Sequence, residues 1–225
     1  MAEKTENKAA GAKLGGFLEK NRKSVIITFV VVLVLVIGFL SVELILSSLA
    51  KKDLAKVEGY YYELTALPAD TDDSEVTKKA TECIENLAAY AKKGGIAGVR
   101  ANMLSAELAY ILKDYEAAIS YYEAAIAKGK KSYTAPICYY NVASCYEELN
   151  KLAEAAQAYK TAAEFAEFGL APHAYFSWGR VLETSGDYAG AAQAYKTLAD
   201  KFADDEWAKL ANTRLIDLKI QGKAE

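Results

Sequence analysis

A single histidine, His173, occurs in the 225 residues. One imidazole excludes a metal site built from two histidines, and with it the His-Glu-x-x-His zinc motif. As a general base His173 has no partner that spacing identifies, so it reads as a surface or groove histidine. Cysteine is nearly as scarce. Cys83, Cys138 and Cys145 are odd in number and none stands in a Cys-x-x-Cys arrangement, so neither a zinc site nor a disulfide framework follows. Cys138 and Cys145 lie two helical turns apart on one face and read as small apolar packing residues, although an oxidising compartment could pair two of the three. The segment Lys128-Gly129-Lys130-Lys131-Ser132 lacks the earlier glycine and the preceding strand of a phosphate loop, and reads as a solvated turn. No nucleophile, base and orienting group stand at a testable spacing. The chain is therefore expected not to be an enzyme, and to carry no cofactor and no metal.

Positive charge is also in short supply outside one short segment. Residues 1–24 carry Lys4, Lys8, Lys13, Lys20, Arg22 and Lys23 against Glu3, Glu6 and Glu19, a net of +3; the whole chain is −3, which leaves −6 for the remainder. An acidic body lacks the basic surface that phosphate binding requires, so nucleic acid is not the expected partner. The basic segment suits an anionic lipid leaflet. With Gly11, Gly15 and Gly16 and no apolar periodicity before Leu14, it is expected to be flexible.

What the chain does have is, first, a run of 18 residues without charge, Val25 to Val42, in which only Thr28, Gly38 and Ser41 are not large and apolar. At about 1.5 Å per residue it covers roughly 27 Å, close to a hydrocarbon core of ~30 Å, and Leu44, Ile45 and Leu46 extend it past Glu43. The span is placed at 25–47, with membrane contact from Val25 to Leu46. A cleaved signal peptide is the competing reading, because Ser48-Leu49-Ala50 has small residues at a suitable spacing. The run is too long for a signal core and the segment before it too long for a signal's basic region. A buried core helix is disfavoured because the remaining helices supply their own core. Six basic residues precede the span and only Lys51, Lys52 and Lys56 follow it closely, which predicts a cytoplasmic N-terminus. In a bacterium that makes a single-pass protein of the cytoplasmic (inner) membrane with its body in the periplasm.

Second, the chain repeats itself. Ala155 to Thr161 and Ala191 to Thr197 have the same seven residues, 36 positions apart. Ala135-Pro136 recurs as Ala171-Pro172, and Asp114-Tyr115 recurs as Lys151-Leu152 and Asp187-Tyr188. Each such step is followed by residues on one helical face: Ala118, Tyr122 and Ala125; Ala155, Tyr159 and Ala162; Ala191, Tyr195 and Leu198. A repeat of this length marks stacked units that bury their apolar faces only against one another, which makes a surface for binding.

The stretches from Leu112 to Ile119 and from Ser185 to Ala192 resemble tetratricopeptide repeats, which are helix-turn-helix units. Ala143 and Tyr146 in the middle unit, and Trp178 with Gly179 in the last, stand where the family places the small and aromatic residues between its two helices. Pro136 and Pro172 would sit in the first turn of the leading helices. The expected fold is all-α: an N-terminal transmembrane helix, then a tetratricopeptide-type α-solenoid with a C-terminal capping helix. Residues 1–24 form the tail, 48–95 a stalk helix ending at Pro68 and a degenerate first unit, 96–203 three units, and 204–225 the cap. In the degenerate unit Ser74 reads as an N-cap, Val76, Ala80, Cys83, Ile84, Leu87 and Ala91 as an apolar stripe, and Gly94-Gly95 as the stop. In the cap, Asp204, Asp205 and Glu206 begin a helix carrying Trp207, Leu210, Ala211, Leu215 and Leu218, with Arg214 turned toward water.

The family resemblance implies that each leading helix lines an inner face. It places there Arg100, Met103, Glu107 and Tyr110; Tyr140, Asn141, Ser144 and Glu147; and His173, Phe176, Ser177, Arg180 and Glu183. Aromatics beside a few charges suit a peptide or an unfolded segment. The paired lysines and asparagines of the carboxylate-clamping version of this groove are not reproduced. The layout as a whole resembles the ancillary subunit of the bacterial Sec translocon, which implies a chaperone-type partner role there. A scaffold of an envelope assembly, such as an outer-membrane assembly complex or a periplasmic flagellar collar, is the alternative.

Overall fold

The computed structural model describes residues 16, 18–130 and 132–224. It divides into two compact units, Met1–Leu49 and Ala50–Glu225. Lys4, Lys8, Gly11, Lys13 and Gly15, and with them most of the expected flexible tail, lie outside the described residues. Its end does not behave as expected. Residues 18–20 and 22–24 are helical, because a helix formed by the apolar run gains a hydrogen bond for each good helix former added before it.

Helix α1, Arg22–Thr65, is 44 residues long. It is long and apolar enough to cross a membrane, and none of its most apolar window is buried. It ends before Pro68, as the sequence predicts. Thereafter come α2 (Asp73–Ala91), α3 (Gly95–Ile111), α4 (Tyr115–Lys128), α5 (Thr134–Glu148), α6 (Leu152–Ala163), α7 (Ala171–Ser185), α8 (Tyr188–Lys201) and α9 (Glu206–Ile220). There is no strand among the described residues. Each helix from α2 onward packs on the next, and α9 also returns to α7. This is the arrangement of an α-solenoid with α3, α5 and α7 as leading helices.

The helix ends explain the repeat. After α3, α5 and α7 the chain passes through a left-handed residue at equivalent positions: Lys113 (φ 60°), Asn150 (φ 55°) and Gly186 (φ 87°). In each turn the left-handed residue donates its N–H to the carbonyl three residues back and the next residue donates to the carbonyl five back: Asp114 to Ala109 at 2.9 Å, Lys151 to Tyr146 at 2.8 Å, Asp187 to Leu182 at 2.9 Å. This is the Schellman closure of a helix C-terminus. Asp114 and Asp187 then cap the trailing helices by accepting from the N–H groups of Ala117 (3.1 Å) and Gly190 (2.9 Å). In the middle unit Lys151 makes no such side-chain cap.

Two boundaries differ from expectation. The N-cap of α2 is Asp72, not Ser74: its carboxylate accepts the Ser74 N–H at 2.8 Å, and a negative charge there meets the positive end of the helix dipole. The same helix ends at Ala91, before Gly94-Gly95; Gly95 (φ 67°) instead turns the chain into α3.

The core follows the repeat. Ala118, Tyr122, Ala125, Ala155, Tyr159, Ala162, Ala191, Tyr195 and Leu198 are all buried. Opposite them Ala106, Ala143 and Gly179 are buried at the same place in the three leading helices. Val57 of α1, at 0 % exposure, packs with Ala80, Cys83, Leu87, Ala101, Leu104 and Leu108, so the stalk end closes the first unit. The three cysteines are buried free thiols. Burial pushes Cys83 up to about 11 and Cys138 and Cys145 to about 12, consistent with inert apolar packing.

Candidate binding face

Of the thirteen residues placed on the inner face, Met103 and Ser177 are buried, at 6 % and 2 % exposure. They belong to the packing, because their positions turn toward the neighbouring helix. The others remain partly accessible, but most are already engaged, some with one another and some with side chains outside the set.

The charges form a ladder with one gap, between α3 and α5, which the hydrogen bond from Tyr110 to Glu148 spans. Arg100 of α3 holds Glu58 of α1 bidentately, through Nε at 2.6 Å and Nη2 at 3.1 Å. Arg180 of α7 donates to Glu147 of α5 at 2.8 Å. Arg214 of α9 donates to Glu183 of α7 and, at 3.3 Å, to Asp217. The same glutamates accept from the buried tyrosines of the trailing helices, Tyr159 to Glu147 at 2.7 Å and Tyr195 to Glu183 at 3.1 Å. Arg214 keeps 40 % of its side chain exposed, in line with its break in the apolar stripe, and is paired as well. Its guanidinium completes the ladder at the cap.

The aromatics are joined as well. Tyr140 meets Tyr159 edge-on with centroids 5.1 Å apart, and its hydroxyl lies 3.2 Å from His173 Nδ1. The His173 ring stacks on Trp207 of α9 at 4.0 Å. Phe176 lies between Tyr195 and Trp207 at 5.6 and 5.2 Å. Burial, with the nearby Arg180 charge, lowers the His173 pKa. The neutral imidazole is the form that packs there.

Two cavities open on this face. One, about 390 Å³, is lined by Phe176, Arg180, Glu183, Tyr195, Arg214 and Lys223. The other, about 420 Å³, lies at the α1 end and is lined by Tyr61, Glu107, Tyr110, Tyr122, Asn141 and Ser144. Tyr110 donates to Glu148 at 3.2 Å; burial and that carboxylate push it up to about 12. Ser144 pairs with the Tyr159 hydroxyl at 3.1 Å. Glu107 is half-buried and its pKa is raised, first by burial. No group of three His, Cys, Asp or Glu side chains able to hold a metal occurs among the described residues.

Glu58, Tyr61, Tyr122, Trp207 and Arg214 were missed as lining residues. A signal for two of them exists: Trp207, Ala208 and Arg214 follow His173, Ala174 and Arg180 by 34 positions, so the cap repeats a leading helix. Tyr61 and Glu58 carry no such signal, because the stalk precedes the recognisable units.

A stack of paired helices closed by left-handed turns, with an open face along its leading helices, defines a helical-repeat protein. The tetratricopeptide repeat model matches residues 79–133 and 146–206, just over half of the chain, and the chain belongs to the tetratricopeptide repeat family. It is 28 % identical over 139 residues to a TPR repeat-containing protein of Treponema pallidum (strain Nichols), a match covering 62 % of this chain and 58 % of the relative. The chain therefore spans less than two thirds of that relative's length. The crystal structure of the apo form of RapI superposes with a TM-score of 0.51 at 19 % identity, over 75 % of this chain and 50 % of that one, a likeness of fold alone. The fold and family are those of proteins that mediate protein–protein interactions.

Proposed function

We propose that this chain is a single-pass protein of the bacterial cytoplasmic membrane, N-terminus inside, whose repeats hold protein segments on the outer side as an accessory, chaperone-type subunit at the Sec translocon. The observation that carries the membrane reading is the surface of α1: Ile27, Phe29, Val34, Leu35, Phe39 and Leu44 are each more than 60 % exposed. A contiguous apolar face of that size requires lipid or protein to cover it. The basic residues before it orient the N-terminus inward. The open leading-helix face, with its two cavities, supports the binding role. No catalytic constellation is assigned to it.

A second reading, a scaffold within an envelope assembly, is favoured by the ion pairs that join α1 to α3, α5 to α7 and α7 to α9, because they stiffen the stack.

The test is brief crosslinking, gentle solubilisation of membranes and purification of the tagged full-length protein. Translocon subunits together with periplasmic folding factors are the expected companions. One stoichiometric envelope assembly would instead establish the scaffold reading. Protease digestion of intact spheroplasts should remove the repeats and spare the N-terminal tag; the opposite pattern would overturn the orientation.

A further inference from the structure

We infer that the cavity around Glu107 is a subsite for the side chain of a lysine or arginine in a bound protein segment. The inference rests on the reading of the leading-helix face as the place where such segments lie, and adds the chemistry of the residue recognised.

The charge count differs between the two ends of the face. At the cap end, Arg180, Arg214 and Lys223 stand against Glu147, Glu183 and Asp217, three of each sign. At the stalk end, Glu58 and Glu107 share one cation, Arg100, whose guanidinium is already forked onto both oxygens of Glu58. Arg100 acts on Glu107 only from a distance, and the Tyr61 hydroxyl is its hydrogen-bonding neighbour. Glu148, held by Tyr110, adds a further negative charge beside that tyrosine. The stalk end is thus short of positive charge, and its central carboxylate is half desolvated.

A carboxylate in this condition gains most from a cation that arrives with its own hydrogen-bond donors. The walls suit the rest of a long basic side chain. Tyr61, Tyr110 and Tyr122 supply aromatic surface for the methylene stem and for the charge, while Asn141 and Ser144 offer polar contacts. The volume, about 420 Å³, falls in the lower part of the ~300–1,000 Å³ range of ligand pockets. A metal ion is a poor fit, since no group of three His, Cys, Asp or Glu side chains able to hold one occurs among the described residues. An anion is excluded by sign. Because the cap end is balanced, a basic residue in this cavity would also set the direction in which the segment lies.

The test uses the full-length protein in a non-ionic detergent, immobilised through its N-terminus, and a degenerate library of extended peptides of about nine residues, which reach roughly 30 Å. Retained peptides are sequenced as a pool. Lysine or arginine should be enriched at one position, on the order of tenfold over the input. Glu107→Gln keeps the shape and removes the charge; it should abolish that enrichment and leave the preferences at other positions unchanged. Asn141→Asp, which adds a carboxylate to the same wall, should increase it, and guards against a Glu107 variant that fails to fold. Retention of peptides with no basic preference would overturn the subsite and keep the groove. Enrichment that survives Glu107→Gln would overturn it as well. Retention no greater than on bare resin would overturn the groove reading, and the subsite with it.

Discussion

The three left-handed turn residues differ in how well they suit their conformation. Gly186 has no Cβ to strain, Asn150 tolerates the region, and Lys113 at φ 60° does not. Lys113→Gly is expected to stabilise the chain by about 0.5–1 kcal/mol, and Gly186→Ala to destabilise it by about 1 kcal/mol. Urea titration of the full-length protein in detergent reads both; a midpoint that falls for Lys113→Gly would show that its turn is not left-handed. Gly179 is constrained differently. A Cβ there would stand 2.5 Å from the ring of Tyr195, which is fully buried and bonded to Glu183. Gly179→Ala should therefore cost about 1–3 kcal/mol through overpacking, and a change below about 0.5 kcal/mol would mean that the ring yields freely.

Between elements, the contact most open to pH is the one joining α5, α7 and α9 through Tyr140, His173 and Trp207. Arg180 faces His173 from its own helix, tied to Glu147 of α5. The folded pKa of His173 is lowered, so in the interval below the ordinary value of about 6.5 the unfolded chain binds more protons than the folded one. Stability is thus complete about a unit above 6.5 and is lost as pH falls through that value toward the folded one. Glu107 works the other way, since its raised pKa makes the folded state the better proton binder as pH falls. Comparison with His173→Gln cancels that term. The wild-type chain should lose stability relative to His173→Gln between about pH 7.5 and 5, with a change in Trp207 fluorescence in a Trp178→Phe background. Parallel pH profiles for the two chains would refute a neutral, packed His173.

At the scale of the whole molecule, α9 is a terminal unit that both covers apolar surface and supplies the last rung of the ladder. It buries Ala208, Ala211 and Leu218 and holds Glu183 through Arg214. A chain ending at Ala203 would bare the α7 and α8 surface, and should lose about 5 °C or more in Tm and self-associate on size-exclusion chromatography. An unchanged Tm would mean that the stack closes without its cap. Much of this architecture is legible from the residues alone. The 36-residue echo of Ala155 to Thr161, the Ala and Tyr stripes and the apolar run from Val25 are local patterns, and local patterns are set by helix period and by the need to bury one face. Expectation failed where two helices compete for one side chain. Met103 and Ser177 turn into the packing and Arg214 is drawn onto Glu183, whereas Asp72 displaces Ser74 as a cap for a local reason, that its carboxylate reaches an open N–H. The sequence by itself therefore determined the repeat, its helices and the long apolar segment, each a property of residues within a few turns of one another. Only the tertiary structure decided which charges of the inner face form ion pairs and which, like Glu107, have a hydroxyl as hydrogen-bonding neighbour instead. That depends on distances between residues more than 30 positions apart in the chain, which spacing alone does not encode.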